Sequence, residues 1–112
     1  MNLLYHIAEQ DAWQQAQQTR QYVPAGFAED GFIHCSFREQ VVPVAGRFYG
    51  GRMRLVLLEI DPTLLKAEVR LENLEGGGEL FPHIYGVLNL EAVRRVMDFS
   101  PAADGSFELP QE

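Results

Sequence analysis

Three histidines stand inside apolar, strand-like runs: Tyr5-His6-Ile7, Ile33-His34-Cys35 and Pro82-His83-Ile84. Imidazole is the side chain that most readily exchanges protons near neutral pH. When buried, it needs partners for both ring nitrogens. One histidine on an apolar strand is ordinarily a hydrogen-bonded core residue. Three in one short chain are costlier, and polar groups retained at such a cost tend to line sites. Side chains on a strand alternate between faces. Ser36 therefore points with His34 and Tyr85 with His83, whereas Tyr5 and Ile7 oppose His6. If the three segments share a sheet, one face gathers His6, His34, Ser36, His83 and Tyr85. Glu72 is the carboxylate best placed to face the same cleft, although a solvated position on a strand is a competing role. Arg47, near the end of a helix, can clamp a carboxylate or phosphate.

Other chemistries fit these residues less well. Three histidines can make an open zinc site. The chain has no His-x-His, His-Glu-x-x-His or Cys-x-x-Cys spacing, so no metal is expected. Cys35 is flanked by Ile33 and Phe37 on what reads as the buried side, where thiols are inert. Gly76-Gly77-Gly78 lacks the Lys-Ser/Thr ending of a phosphate-binding loop. It reads as a mobile connection, with a flap over a cleft as the functional alternative.

The elements that must position these residues follow from periodicity. Leu3 to Ile7 reads as a first strand. A helix should follow, capped by Asp11 with Gln14, burying Ala12, Trp13 and Ala16 and ending near Tyr22, before Pro24. Val23 to Gly31 has loop chemistry, and Phe32 to Cys35 forms a second strand. Ser36 with Glu39 suggests a capping box. Val41, Val44, Ala45 and Phe48 recur at helical spacing, with Pro43 tolerated only in a first turn, so regular helix should start around Gln40 and stop at Gly50-Gly51. Met53 to Ile60 suits a central strand covered on both faces. Asp61-Pro62 opens a turn, and Ala67 to Glu72 alternates as a strand with one wetter face. Pro82 makes the run from Leu80 to Gly86 an edge segment, a bulge or the beginning of a strand. Asn89 should cap a short turn, and Arg94 to Phe99 should form the last strand. Phe107 and Leu109 are placed to pack back.

The chain has 112 residues, 46% hydrophobic and 22% charged, the composition of one folded α+β domain with a core over about residues 3–99 and a tail beyond. Sixteen acidic against nine basic residues leave a net charge of −7. That field repels phosphate backbones and excludes extended nucleic acid as a partner. No run approaches the roughly 20 apolar residues of a membrane span. The lone cysteine and the absence of a leader pattern predict a cytoplasmic protein.

Several strings together carry a resemblance: Tyr5-His6-Ile7, Trp13, Gly31 to Ser36, Gln40, Arg47-Phe48, and Phe81 to Gly86 followed by Leu88-Asn89-Leu90. From about residue 3 to residue 98 the chain resembles the bacterial domain of unknown function 952 family. That family is grouped by fold with the ADP-ribosyltransferases and RNA 2′-phosphotransferases. The resemblance implies a split, mainly antiparallel sheet, two main helices packed outside, and a cleft that holds NAD in relatives. It also implies that His6 holds a ribose from the first core strand and that Ser36 or His34 supports the sugar. Tyr85 or His83 stands where relatives carry an acidic residue, with Glu72 one strand earlier. The expected function is binding of NAD or an ADP-ribose-containing nucleotide, with transfer or cleavage of its ribosyl bond. His83, Tyr85 or Glu72 would then serve as acid, base or charge stabiliser. The rivals are a non-catalytic module that senses a small metabolite and a metal-dependent hydrolase.

Overall fold

The computed structural model describes residues 2–73 and 77–110. Strand β1 (Leu4–Glu9) leads directly into helix α1 (Gln10–Thr19), then to β2 (Gln21–Tyr22), a one-turn helix α2 (Phe27–Asp30) and β3 (Ile33–His34). A 3-10 turn over Arg38–Gln40 opens α3 (Val41–Phe48). The remaining strands are β4 (Leu55–Ile60), β5 (Glu68–Glu72), β6 (Phe81–Tyr85), β7 (Leu88–Asn89) and β8 (Val93–Asp98). All pairing between strands is antiparallel, in the orders β1-β4-β8, β2-β7 and β3-β6-β5. The fold is a mixed α+β arrangement. A reciprocal backbone bridge links two of the sheets: Tyr5 N–H donates to the Ser36 carbonyl and Ser36 N–H to the Tyr5 carbonyl, both at 2.8 Å.

Because both of its faces are covered, the central strand β4 is apolar apart from Glu59, which is buried and accepts from the Tyr5 hydroxyl at 3.0 Å. Val56, Leu58 and Ile60 pack in a cluster with Trp13 and Ala16 of α1, while Leu55 and Leu57 pack with Val41 and Ala45 of α3. Each such aliphatic side chain contributes about 1.5–3 kcal/mol on full burial. Phe107 returns from the C-terminal segment to lie 5.3 Å from Phe99, ring centre to ring centre, and closes the α3 side.

Three boundaries differ from expectation for identifiable reasons. Helix α1 ends at Thr19 because Arg20 takes a left-handed conformation (φ 64°) and donates its N–H to the Ala16 carbonyl. Gln21 and Tyr22 are then released into a two-residue strand against Leu88 and Asn89. Ser36 is not a helix cap. Its backbone is engaged by Tyr5, and the Gln40 side chain instead accepts from Phe37 N–H at 2.9 Å. Asn89 makes no cap either, accepting from Lys66 N–H and donating to the Leu64 carbonyl to hold the loop before β5.

Pro82 occupies the middle strand of its sheet rather than an edge. Its carbonyl accepts from Cys35 N–H at 3.0 Å. A residue's N and O lie along the same strand edge, so the missing N–H faces the end of β3, where pairing stops, and the ladder to β5 loses nothing.

Gly86 follows β6 at a close approach: a Cβ there would lie 2.7 Å from Ala67 Cβ. Gly86→Ala should therefore lower stability by about 1–3 kcal/mol. Chemical denaturation of Gly86→Ala with Ala67→Gly should recover much of the loss; an unchanged midpoint in the single variant would contradict this contact.

Candidate functional site

The bridge between Tyr5 and Ser36 helps bring four elements, β1, β3, β6 and α3, around a cavity of about 310 Å³. Tyr5 and Ile7 of β1 line one side, with Val44 and Phe48 of α3 and the following Tyr49. His34, Cys35 and Ser36 line the other, with Phe81 and His83 of β6. Gln40 fixes the angle between α3 and β6. It is buried, and its amide donates to the Leu80 carbonyl at 3.0 Å and to Glu79 at 3.4 Å.

Behind this wall lies a carboxylate that organises two side chains from the neighbouring strand. Glu72 Oε1 accepts from His83 Nδ1 at 2.9 Å and from the Tyr85 hydroxyl at 2.5 Å. The register explains why: Glu72 pairs with Phe81, so His83 is its diagonal neighbour on the same face and Tyr85 stands two residues further along that face. The two bonds, Tyr85 first and His83 second, hold the Glu72 carboxyl below its ordinary pKa, and the same carboxylate pushes the Tyr85 phenol up. An ionised carboxylate only accepts hydrogen bonds, so the proton of neutral His83 sits on Nδ1. That leaves Nε2 as an acceptor. It has no hydrogen-bond partner among the described residues and is not sealed from solvent.

Packing holds this imidazole in place. The buried Phe32 ring stacks on His83 at 4.2 Å and 19°. Arg70, paired with Glu68, lies 4.2 Å over the Tyr85 ring. His34 is the direct cross-strand partner of His83, and the two rings meet edge-on at 5.3 Å. Unlike His83, it is solvent-facing, with 54% of its side chain exposed, and its Nε2 pairs with Asp30 at 3.1 Å. Asp30 ends α2, and Gly31 in a left-handed conformation (φ 80°) turns the chain into β3. The site thus holds two imidazoles, each bonded to its own carboxylate, one at the surface and one stacked within.

His6 is not part of this group. It lies on the α1 side of β1, while its neighbours Tyr5 and Ile7 face the cavity. Its ring is 5% exposed, with Nδ1 2.6 Å from the His34 carbonyl and Nε2 2.9 Å from the Tyr22 hydroxyl. A carbonyl only accepts, so Nδ1 donates and Nε2 accepts from Tyr22. Burial lowers the His6 pKa to about 4, so the ring stays neutral. With both nitrogens occupied, His6 cannot bind a sugar. It instead holds the backbone that carries His34.

The structure thus brings His34, Ser36 and His83 to the cavity, with Glu72 and Tyr85 bonded behind them. Arg47 is exposed and lies 5.0 Å over the Phe48 ring, at the rim. Phe48 is not in the helix's buried face but 52% exposed at the cavity mouth. Phe32, Asp30, Tyr5 and Tyr49 were missed. Phe32 was findable, because it shares strand parity with His34; Asp30 reaches its partner across a turn that leaves no periodic signal. Burial raises the Cys35 pKa strongly, so the thiol stays protonated. Among the described residues no group of three His, Cys, Asp or Glu side chains could hold a metal ion, and no helix is long and apolar enough to cross a membrane. The glycine-rich connection expected to be mobile lies partly outside the described residues.

The chain is similar over nearly its whole length to protein CC0527 from Caulobacter crescentus. Against the crystal structure of that protein it is 33% identical, with 95% of this chain and 93% of that one covered and a TM-score of 0.85. Against its solution NMR structure the identity is 34%, the coverage 95% and 91%, and the TM-score 0.73. No curated protein matches the chain. The model of the family described as protein of unknown function (DUF952) matches residues 7–96, and the chain belongs to that family.

Proposed function

We propose that this domain binds NAD or another ADP-ribose-containing nucleotide at the cavity, and that His83 serves there as a general base in transfer or hydrolysis of the ribosyl bond. The observation that carries this reading is the Glu72 carboxylate, which fixes His83 as the Nδ1–H tautomer and leaves Nε2 as a proton acceptor. An imidazole held this way is the ordinary arrangement of a general base, with the carboxylate stabilising the imidazolium as it forms. In the proposed step a water or acceptor hydroxyl attacks the anomeric carbon and gives its proton to Nε2. The glycosidic electron pair leaves with the base. His34 and Ser36 orient the sugar, Tyr85 helps hold the Glu72 charge, and Arg47 meets a phosphate at the rim. His6 contributes only through the backbone of His34.

The walls support a nucleotide. Tyr5, Phe48, Tyr49 and Phe81 offer aromatic faces to a planar base. A volume of about 310 Å³ lies at the lower end of the range for small-molecule sites, roughly 300–1000 Å³. It accommodates one nucleoside portion, with the phosphates extending over the exposed His34 and the rim. An ADP-ribosyltransferase-like fold is part of the same proposal, and the paired antiparallel sheets are compatible with it.

The test is thermal unfolding with NAD, ADP-ribose and AMP, followed by separation of products after prolonged incubation. A ligand at a hundredfold its Kd adds about 2.7 kcal/mol, a rise of several degrees. Release of nicotinamide from NAD establishes turnover. A shift without products makes the domain a binding module, and no shift with any nucleotide at millimolar concentration removes the proposal.

A further inference from the structure

A second concavity, of about 410 Å³, lies away from the histidines, between α1 and the edge strand β8. Its floor is apolar, made by Trp13, Leu90, Val93 and Val96, with Val96 44% exposed. Its walls are basic: Arg20, Arg94 and Arg95 line it, three of the nine basic residues in a chain of net charge −7. Of these three, Arg95 is engaged by Glu59, and elsewhere Arg52 is engaged by Glu9, Arg54 by Asp11 and Arg70 by Glu68. Arg20 and Arg94 are exposed and within ion-pair distance of no carboxylate among the described residues. Glu91 and Asp61 are the carboxylates that feel their charge, and neither reaches them.

The backbone around these two arginines is irregular. Arg20 holds a left-handed conformation (φ 64°) at the end of α1, a position where glycine has no steric cost and arginine does. Arg94 is the residue passed over where the pairing of β8 with β4 shifts register between Glu59 and Ile60, and its side chain is exposed. Both guanidiniums are therefore presented at one groove by local irregularities of the chain.

We infer that the groove between α1 and β8 is a docking site for an acidic, extended segment of a partner protein, its carboxylates meeting Arg20 and Arg94 and an aliphatic side chain resting on Trp13 and Val96. Charge complementarity selects the occupant. The chain's net charge of −7 opposes every acidic partner at long range, so the selection rests on the short-range contacts of Arg20 and Arg94 at the groove. The groove is open to solvent, whereas small ligands are held where most of their surface is enclosed. A linear segment with spaced carboxylates satisfies both the guanidiniums and the apolar floor.

Trp13 is the protein's single tryptophan, so its emission reports this groove directly. The probe is a short Glu-rich peptide with one leucine, titrated into the full chain at low and high salt. Its Gln-for-Glu counterpart and phosphatidylserine vesicles serve as comparisons. The acidic peptide should shift the emission saturably, more weakly at high salt. Arg20→Gly suits the left-handed backbone and keeps the helix end, yet should weaken binding roughly tenfold, as should Arg94→Gln. Thermal unfolding of both variants verifies that they fold. The inference is overturned if the peptide has no effect at millimolar concentration, if the Gln counterpart binds equally well, if Arg20→Gly binds like the parent, or if the vesicles bind and the peptide does not.

Discussion

Glu72→Gln should retain nucleotide binding within a few fold and lose about 10²–10⁴ in the rate of ribosyl transfer or hydrolysis, the range that a positioned general base contributes. The substitution keeps the shape of the side chain, and its remaining carbonyl oxygen can still accept from the Tyr85 hydroxyl at the 2.5 Å contact. What disappears is the negative charge beside His83 Nδ1. The tautomer is no longer enforced, and the imidazolium that forms on proton transfer has no counter-ion. His83→Gln removes the base itself and should cost at least as much, whereas Tyr85→Phe leaves the Glu72–His83 bond in place and should cost far less. Single-turnover release of nicotinamide from bound NAD orders the three variants. Near-normal rates in Glu72→Gln would show that the carboxylate does not act through His83, and near-normal rates in His83→Gln would remove the imidazole from the reaction.

Strand alternation located His34 and His83 because both lie in strands of one sheet, where parity alone decides the face. The same reasoning failed for His6. Its strand pairs with β4 and meets the other sheet only through the bridge between Tyr5 and Ser36. Parity within β1 separates His6 from Tyr5 but does not say which set turns toward α1. Long-range packing settles that, with Trp13 and Tyr22 closing over His6 and α3 over Tyr5 and Ile7. Helical periodicity likewise places Val41 and Ala45 correctly inside and Phe48 wrongly so, because Phe48 is the last residue of α3 and its ring is exposed at the cavity mouth. In the sequence Glu72 stands out only as a carboxylate on an alternating strand. The His83 and Tyr85 bonds that give it a role follow from the register of β5 against β6, which no local pattern encodes.

The burial of His6 implies that stability falls as the solution is acidified through the weakly acidic range. In the unfolded chain a histidine takes up a proton near pH 6.5, whereas folded His6 resists protonation until about pH 4 because burial penalises the charged ring. Between these values the unfolded state binds more protons, so stability rises with pH; it is fully present above 6.5 and lost progressively toward 4. The difference corresponds to roughly 3 kcal/mol. Glu72, whose folded pKa is also lowered, pulls in the same direction but only as the pH falls through the carboxyl range. His6→Gln, which can still accept from Tyr22, should flatten the decline between pH 6.5 and 4.5. His6→Ala leaves the Tyr22 hydroxyl and the His34 carbonyl without partners inside an apolar cluster and opens a void. It should lose about 2–4 kcal/mol, a fall in Tm on the order of 10 °C or more. Urea unfolding of the parent and both variants at pH 7.5 and pH 5 measures these effects together. A parent whose acid sensitivity survives intact in His6→Gln would show that another group supplies it, and an undiminished midpoint for His6→Ala would mean that the Tyr22–His6–His34 connection does not hold β1 to β3.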